Sequence, residues 1–189
     1  MDLYEALLTR RTVFRYRDEP VPAASLERAL EAARWAPNHK LTEPWRFYVV
    51  GTETRRALGE IAASLAEAKC QDRNADEIAR QVERAKNKIL QVPTLLVVSQ
   101  TRSPGDDFRA KEDYAAVSLA IHNLVLAFWA DGLGCQWSTG GITRDPSSYE
   151  ALGISAETEE IAGFIKVGYP EKVPQSKRRP LSEVVFRLP

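Results

Sequence analysis

Three polar segments of this chain carry side chains suited to holding an anion or a flat ligand. The first is Arg10-Arg11-Thr12, whose guanidinium groups and hydroxyl could bind a phosphate, because arginine donates paired hydrogen bonds to phosphate oxygens. The second is the basic cluster Lys177-Arg178-Arg179 near the C-terminus, which could complete the same phosphate site from a distance. The pattern alone favours a solvated charge cluster for both segments, so these interpretations stay open at this point.

The third segment runs from Gly132 through Trp137, Ser138 and Thr139 to Gly141. It is not a dinucleotide-binding fingerprint, because the sixth position is Trp137 rather than glycine and the segment leaves a helix instead of entering one. Small residues here would let backbone and hydroxyl groups approach a flat ligand. A plain helix-to-strand turn is the alternative interpretation.

Histidine and cysteine offer few further candidates. His39 lies in a loop between two prolines and is a candidate for ligand contact. His122 falls among apolar residues of a helix and Cys135 lies in a strand, so we interpret them as a core histidine and an inert buried thiol. The tryptophans are expected mostly in the core. The two histidines are far apart and there is no CxxC, so the sequence predicts no metal site.

Composition excludes several function classes. The 189 residues are 44% hydrophobic and 28% charged, which is typical of one globular domain over residues 1–189. The 26 basic and 26 acidic residues cancel, so we expect neither nucleic acid nor an acidic membrane as partner. The longest apolar run, Leu124–Ala130, is shorter than the roughly 18 residues of a membrane span, and no signal peptide is evident, so we expect a cytoplasmic protein.

Periodicity and capping residues predict helices that alternate irregularly with strands. Thr52 is expected to cap one helix, and residues 101–109 are expected to form a loop before the longest helix. The fold class is therefore α/β in the α+β sense, with a mixed central sheet flanked by helices. The predicted helices are 2–9, 26–36, 52–65, 78–89, 110–131 and 146–152, and the predicted strands are 45–50, 94–99, 135–139 and 161–169.

Taken together, these segments resemble the FMN-dependent nitroreductase family, especially its short single-domain members. The matching stretches are residues 10–12 (RRT), 36–47 (APNHKLTEPWRF), 132–137 (GLGCQW), 168–170 (GYP) and the basic tail. The order is right over nearly the whole chain, and the second stretch is the most specific. Two positions depart from the family pattern: Glu43 stands where glutamine is usual, and Phe14 stands where many relatives have lysine or arginine.

The resemblance implies a homodimer with FMN at the subunit interface and NADH or NADPH as electron donor. It implies that a nitroaromatic, quinone or similar electron-poor compound is the acceptor. A specialised flavoenzyme of the same fold, such as a dehalogenase or a metabolite oxidase with residues 70–90 as a lid, is an alternative, as is a flavin-binding dimer without turnover. The implied cofactor-binding residues are Arg10, Arg11, Thr12, His39, Glu43, Trp137, Ser138, Thr139, Arg178 and Arg179, with His39 and Glu43 reaching the flavin of the partner subunit.

Overall fold

The computed structural model describes residues 1–189 and contains all ten predicted helices and strands. The helices are α1 Leu3–Thr9, α2 Ala23–Arg34, α3 Thr52–Ala68, α4 Ala75–Leu90, α5 Asp107–Ala130 and α6 Pro146–Leu152. The strands are β1 Trp45–Val49, β2 Thr94–Thr101, β3 Gly134–Ser138 and β4 Glu159–Gly168. Short 3-10 turns cover His39–Leu41, Gly141–Thr143 and Leu181–Glu183.

The four strands form one sheet in the order β1-β2-β4-β3, and every neighbouring pair is antiparallel. The sheet is therefore wholly antiparallel rather than mixed, and the one parallel pairing is an isolated bridge between Thr12 and Cys135 at the outer edge of β3. Helices flank the sheet on both faces, which confirms the predicted α+β class. The buried residues on one face come from α2 and α5, and those on the other come from α3, α4 and α6.

Helix α5 is apolar because it forms the centre of the larger core. Its buried side chains, among them Leu124 and Phe128, pack against Leu96 and Ile165 of the sheet and against α2. By length and composition α5 is also the one helix that could cross a membrane, although half of its most apolar stretch is buried inside the protein. The core contacts account for that composition without a membrane.

Some details of the sequence prediction are wrong. The loop before α5 is shorter than expected, since α5 begins at Asp107 with the Asp106 side chain accepting the Arg109 N–H at 2.9 Å. Helix α3 is capped by Gly51 without a side-chain bond, so Thr52 is not the cap. His122 is exposed rather than in the core, because it falls on the outer side of α5.

The tryptophans divide between core and surface. Trp45 and Trp129 are buried, as expected, but Trp35 is 72% exposed and Trp137 is 37% exposed. The Trp35 indole N–H donates to Glu31 at 2.8 Å, so its polar edge is satisfied on the surface of α2.

The segment from Arg10 to Arg17, hereafter the N-terminal strip, is fastened along the ends of β3 and β4. The Val13 N–H donates to the Cys135 carbonyl at 3.0 Å, and the Arg17 N–H donates to the Tyr169 carbonyl at 2.8 Å. Val13 is fully buried and lies directly against Gly134. A Cβ on Gly134 would overlap the Val13 side chain, so the close approach of the strip requires glycine there.

Gly134→Ala should therefore destabilise the protein. Overpacking at this contact is expected to lower the free energy of unfolding by about 1–3 kcal/mol in urea denaturation. The matched control is Gly140→Ala, because Gly140 is exposed and has nothing within 4 Å of a Cβ. The control should stay within about 0.5 kcal/mol of wild type. Equal unfolding free energies for the two variants would contradict the role assigned to Gly134.

Candidate functional site

A long cleft lies between α4 and the β3–β4 side of the sheet. It consists of a cavity of about 730 Å³ and a neighbouring one of about 320 Å³, within the size range of small-molecule sites. Arg84, Lys88 and Lys166 line both cavities, so the two are continuous. The N-terminal strip closes the larger cavity through Phe14, Arg15 and Tyr16, and the smaller one is closed by Gly140, Gly141 and Ile142.

The cleft is strongly cationic although the whole chain is neutral. Its basic side chains come from the strip, from α3 and α4 and from β4, whereas Glu171 is the one acidic side chain of the lining. The charge imbalance favours an anionic ligand. The cations are Arg15, Lys69, Arg84, Lys88 and Lys166.

Lys166 stands out because it is a buried lysine in the apolar stretch 161–168 that makes up most of β4. Strand alternation places Ile165 and Val167 in the α5 core and turns Lys166 to the opposite face, under α4. The Tyr16 hydroxyl donates to the Lys166 carbonyl at 3.1 Å, which ties the strip to this position. Burial, together with the nearby charge of Lys88, lowers the pKa of Lys166 to about 8.

The same alternation separates the predicted ring-lining residues of β3. Ser138 lines the cleft, and Gln136 lines it as well, although the sequence analysis did not select Gln136. Trp137 lies on the other face, where its indole N–H donates to the Ala162 carbonyl at 3.2 Å and the ring covers Gly163. Thr139 lines a separate cavity of about 520 Å³ beside α5 and α6.

The predicted phosphate ligands lie at the start of the strip, next to the larger cavity rather than on its wall. Arg10 is half-buried, and its charge acts on the thiol of Cys135. Arg11 turns back toward α1, where its guanidinium donates to the carbonyls of Leu8 at 2.8 Å and Arg10 at 2.9 Å. Thr12 is exposed. Of the three predicted phosphate ligands, Arg10 and Thr12 therefore keep their side-chain donors free, whereas those of Arg11 are used.

The loop with His39 and Glu43 is held on α5, away from the cleft. The His39 Nδ1 lies 2.8 Å from the Glu112 carboxylate, and the Thr42 hydroxyl donates to Asp113 at 2.8 Å. Lys40, Leu41 and Glu43 have positive φ, an uncommon backbone conformation that the clamp on α5 maintains.

The predicted tail arginines and the predicted partner-facing residues His39 and Glu43 do not reach the cleft of their own chain. The Arg178 guanidinium donates hydrogen bonds only to its neighbours Ser176 and Lys177, and Arg179 is exposed on the tail. His39 and Glu43 are likewise exposed and absent from the lining of both cavities.

Cys135 is an inert thiol, as expected. Burial raises its pKa well above the ordinary value, so the thiolate nucleophile is not formed near neutral pH. His122 makes no hydrogen bond or ion pair and is exposed, whereas Cys135 is buried, which removes the His–Cys pair as a nucleophilic centre.

Sequence reasoning missed most of the polar lining of the cleft, including Lys69, Arg84, Lys88, Gln136 and Lys166. A signal existed for Lys166, since it is the only charged residue in the apolar stretch 161–169. None existed for Arg84 and Lys88, because charged residues are expected on the exposed side of an amphipathic helix.

Comparison with known proteins identifies the family. The family model "Nitroreductase family" matches residues 7–169, which is most of the chain. The chain belongs to the nitroreductase family. It is 35% identical over 179 residues to YfhC of Bacillus subtilis (strain 168), whose name places it among the NAD(P)H nitroreductases, and the match covers 94% of this chain and 89% of YfhC.

Solved structures of nitroreductase-like proteins share the fold. A nitroreductase-like family protein from Bacillus cereus superimposes with a TM-score of 0.83 at 30% identity, covering 100% of this chain and 96% of the other. A protein from Desulfovibrio desulfuricans, described as a nitroreductase in complex with FMN, gives 0.73 at 25% identity and covers 98% and 96% of the two chains. The nitroreductase fold of this chain is therefore established on both sequence and structure.

Asp113 is predicted to hold the His39 loop of this nitroreductase in place. This buried carboxylate accepts hydrogen bonds from Thr42, from Ser103 at 3.0 Å and from Arg109 at 3.2 Å. Asp113→Ala should lower the free energy of unfolding by about 2–4 kcal/mol, because three donors lose a charged acceptor. It should also speed proteolytic cleavage within residues 38–44.

The control for this experiment is Asp72→Ala, since Asp72 is exposed and makes no hydrogen bond. It should leave both the unfolding free energy and the cleavage rate at the wild-type level. An Asp113→Ala protein as stable as this control would show that the clamp on α5 is not needed.

Proposed function

We propose that this chain is an FMN-dependent oxidoreductase that uses NADH or NADPH to reduce nitroaromatics, quinones or similar electron-poor acceptors. The observation that carries the proposal is the cationic cleft between α4 and β3, large enough for a mononucleotide and set in a nitroreductase fold. The FMN complex of the D. desulfuricans relative supports the choice of ligand.

The donor groups in the cleft and directly beside it fit FMN. Arg10 and Thr12, at the start of the strip, would hold the phosphate through guanidinium and hydroxyl donors. Gln136 and Ser138 offer an amide and a hydroxyl along β3, suited to the polar edge of the ring. Trp137 would support this wall from the other face rather than contact the ring through its indole.

The protein's part in the reaction is binding and orientation. Bound FMN would supply the two-electron chemistry that links NAD(P)H to the acceptor. Cys135 and His122 do not form a nucleophilic pair, since Cys135 is buried with a raised pKa and His122 lies on the surface. The open side of the cleft would admit donor and acceptor in turn.

The working form is proposed to be a homodimer with FMN at the interface. Apolar side chains of α1 and of the tail are strongly exposed in one chain, and a partner subunit would cover them. Across the interface, Arg178 or Arg179 would complete the partner's phosphate site, and His39 and Glu43 would approach the partner's flavin. The exposed apolar residues are Leu3, Tyr4, Leu8, Leu181, Phe186 and Leu188.

The proposal also covers the domain organisation, the location and the class of substrate. Residues 1–189 would form one FMN-binding domain, and the protein would work in the cytoplasm on small molecules rather than on nucleic acid or membranes.

Arg10→Ala should weaken FMN binding. Loss of a charged hydrogen bond to the phosphate is expected to cost about 1.5–3 kcal/mol, or roughly a 10- to 150-fold higher Kd in a fluorescence titration. Riboflavin, which lacks the phosphate, should bind the variant and the wild type equally. The control is Arg73→Ala, an exposed arginine whose side chain makes no hydrogen bond. An unchanged Kd for FMN would remove Arg10 from the site.

The activity itself is tested with FMN-loaded protein and steady-state absorbance. Oxidation of NADH or NADPH should depend on an added nitroaromatic or quinone, and sedimentation should give twice the mass of 21.2 kDa. Turnover of a single metabolite with poor activity on generic acceptors would favour the specialised flavoenzyme. If neither NADH nor NADPH is oxidised with any acceptor, the protein would instead be a flavin-binding protein without turnover.

A further inference from the structure

Lys166 presents a buried positive charge without a protein counter-ion. The residue is only 5% exposed and its ammonium makes no ion pair or hydrogen bond with the protein, and its Nζ opens into the cleft rather than being enclosed in the core. Buried ammonium groups in proteins are ordinarily paired, because an unpaired charge in a low-dielectric interior is costly. Glu171, the single acid of the lining, forms no ion pair with Lys166, and the nearby Lys88 adds repulsion. Such a group is retained at a cost in stability unless a ligand supplies the negative charge.

The position of Lys166 indicates which part of a ligand it meets. Its Cα pairs with Gln136 on β3, two residues before Ser138, and it lies where the two cavities join. Arg10 and Thr12, the proposed phosphate ligands, are outside the lining of both cavities. The Lys166 ammonium is therefore placed toward the ring portion of a mononucleotide rather than its phosphate.

We propose that Lys166 supplies the positive charge that stabilises the reduced flavin ring and so raises the midpoint potential of bound FMN. The proposal rests on the proposed function. A hydride carries two electrons and one proton from NAD(P)H, which leaves as NAD(P)⁺, and the neutral oxidised ring thereby gains one negative charge. A cation beside the ring favours the reduced anion over the oxidised form.

Other groups of the cavity are less suited to this role. Phe14 lines the same wall without any charge. The other cations of the lining are all exposed, so water and salt screen them: Arg15, Lys69, Arg84 and Lys88. Lys166 acts from a buried position, in which the same charge has a stronger effect on a ligand in contact with it.

The test is the midpoint potential of FMN bound to Lys166→Met, measured by equilibration with a reference dye. The variant should bind reduced FMN about tenfold more weakly relative to oxidised FMN, which lowers the potential by about 30 mV for two electrons. Lys166→Arg should keep the wild-type potential because it keeps the charge. The matched control is Lys86→Met, which removes one positive charge from α4 at a residue paired with Glu60 and outside both cavities.

A second measurement separates loss of charge from damage to the fold. FMN-free Lys166→Met should have a higher Tm than FMN-free wild type at pH 7, since an unpaired buried ammonium is replaced by an apolar side chain of similar length. Lys166→Gln gives an independent comparison of potential if the methionine variant does not fold.

The outcomes separate the role of Lys166 from the proposed function. An unchanged potential in both Lys166→Met and Lys166→Gln would overturn the role of Lys166, and so would an equal loss of affinity for oxidised and reduced FMN. Wild-type protein that binds no FMN would instead refute the proposed function, and with it this inference.

Discussion

The docking of the N-terminal strip onto β3 is the contact on which the candidate site depends. β3 is the last strand of the sheet, and its outer edge is occupied by Thr12 and Val13 rather than by another strand. Gly134 makes this possible by leaving room for the buried Val13 side chain. Because the strip continues directly into Phe14 and Arg15, the same contact builds one wall of the larger cavity and sets where Arg10 lies beside it.

The ligand preference of the site follows from basic side chains that lie against an apolar sheet. The chain is neutral overall, yet the cleft concentrates basic side chains from four separate segments around one volume. Such a cleft favours an anionic ligand. If the ligand has two charge states, the cleft binds more tightly the one with more negative charge near the buried Lys166. The protein can thus influence a bound cofactor without a nucleophile or a general acid among its own side chains.

Much of the fold could be predicted from the sequence, because long amphipathic helices and β-branched strands leave strong periodic patterns. The errors in the predicted elements were local. Pro104 and Gly105 suggested a loop up to residue 109, but Asp106 caps a helix that already begins at Asp107. The apolar neighbours of His122 suggested burial, but the outer side of α5 is itself partly apolar, so periodicity could not assign its face.

Some side chains of the cleft could be selected from a motif, whereas those that tertiary packing places there could not. Ser138, which the sequence selected, lines the cleft, whereas Trp137 lies on the other face because neighbouring residues of a strand point to opposite faces. Their contact with a flavin stays a prediction. Arg84 and Lys88 belong to the cleft only because α4 packs along α3 and over the sheet, which no local pattern reveals. Lys166 is the one missed residue whose sequence context, a single charge in the apolar stretch 161–169, was informative.

The most direct measurement is a crystal structure of this protein grown with FMN. We expect the ring in the cleft between β3 and α4, with Lys166 in contact with it and the phosphate beside Arg10 and Thr12. A ring bound elsewhere, or a phosphate seated at Lys166 with the ring outside the cleft, would show that this cleft is not the flavin site.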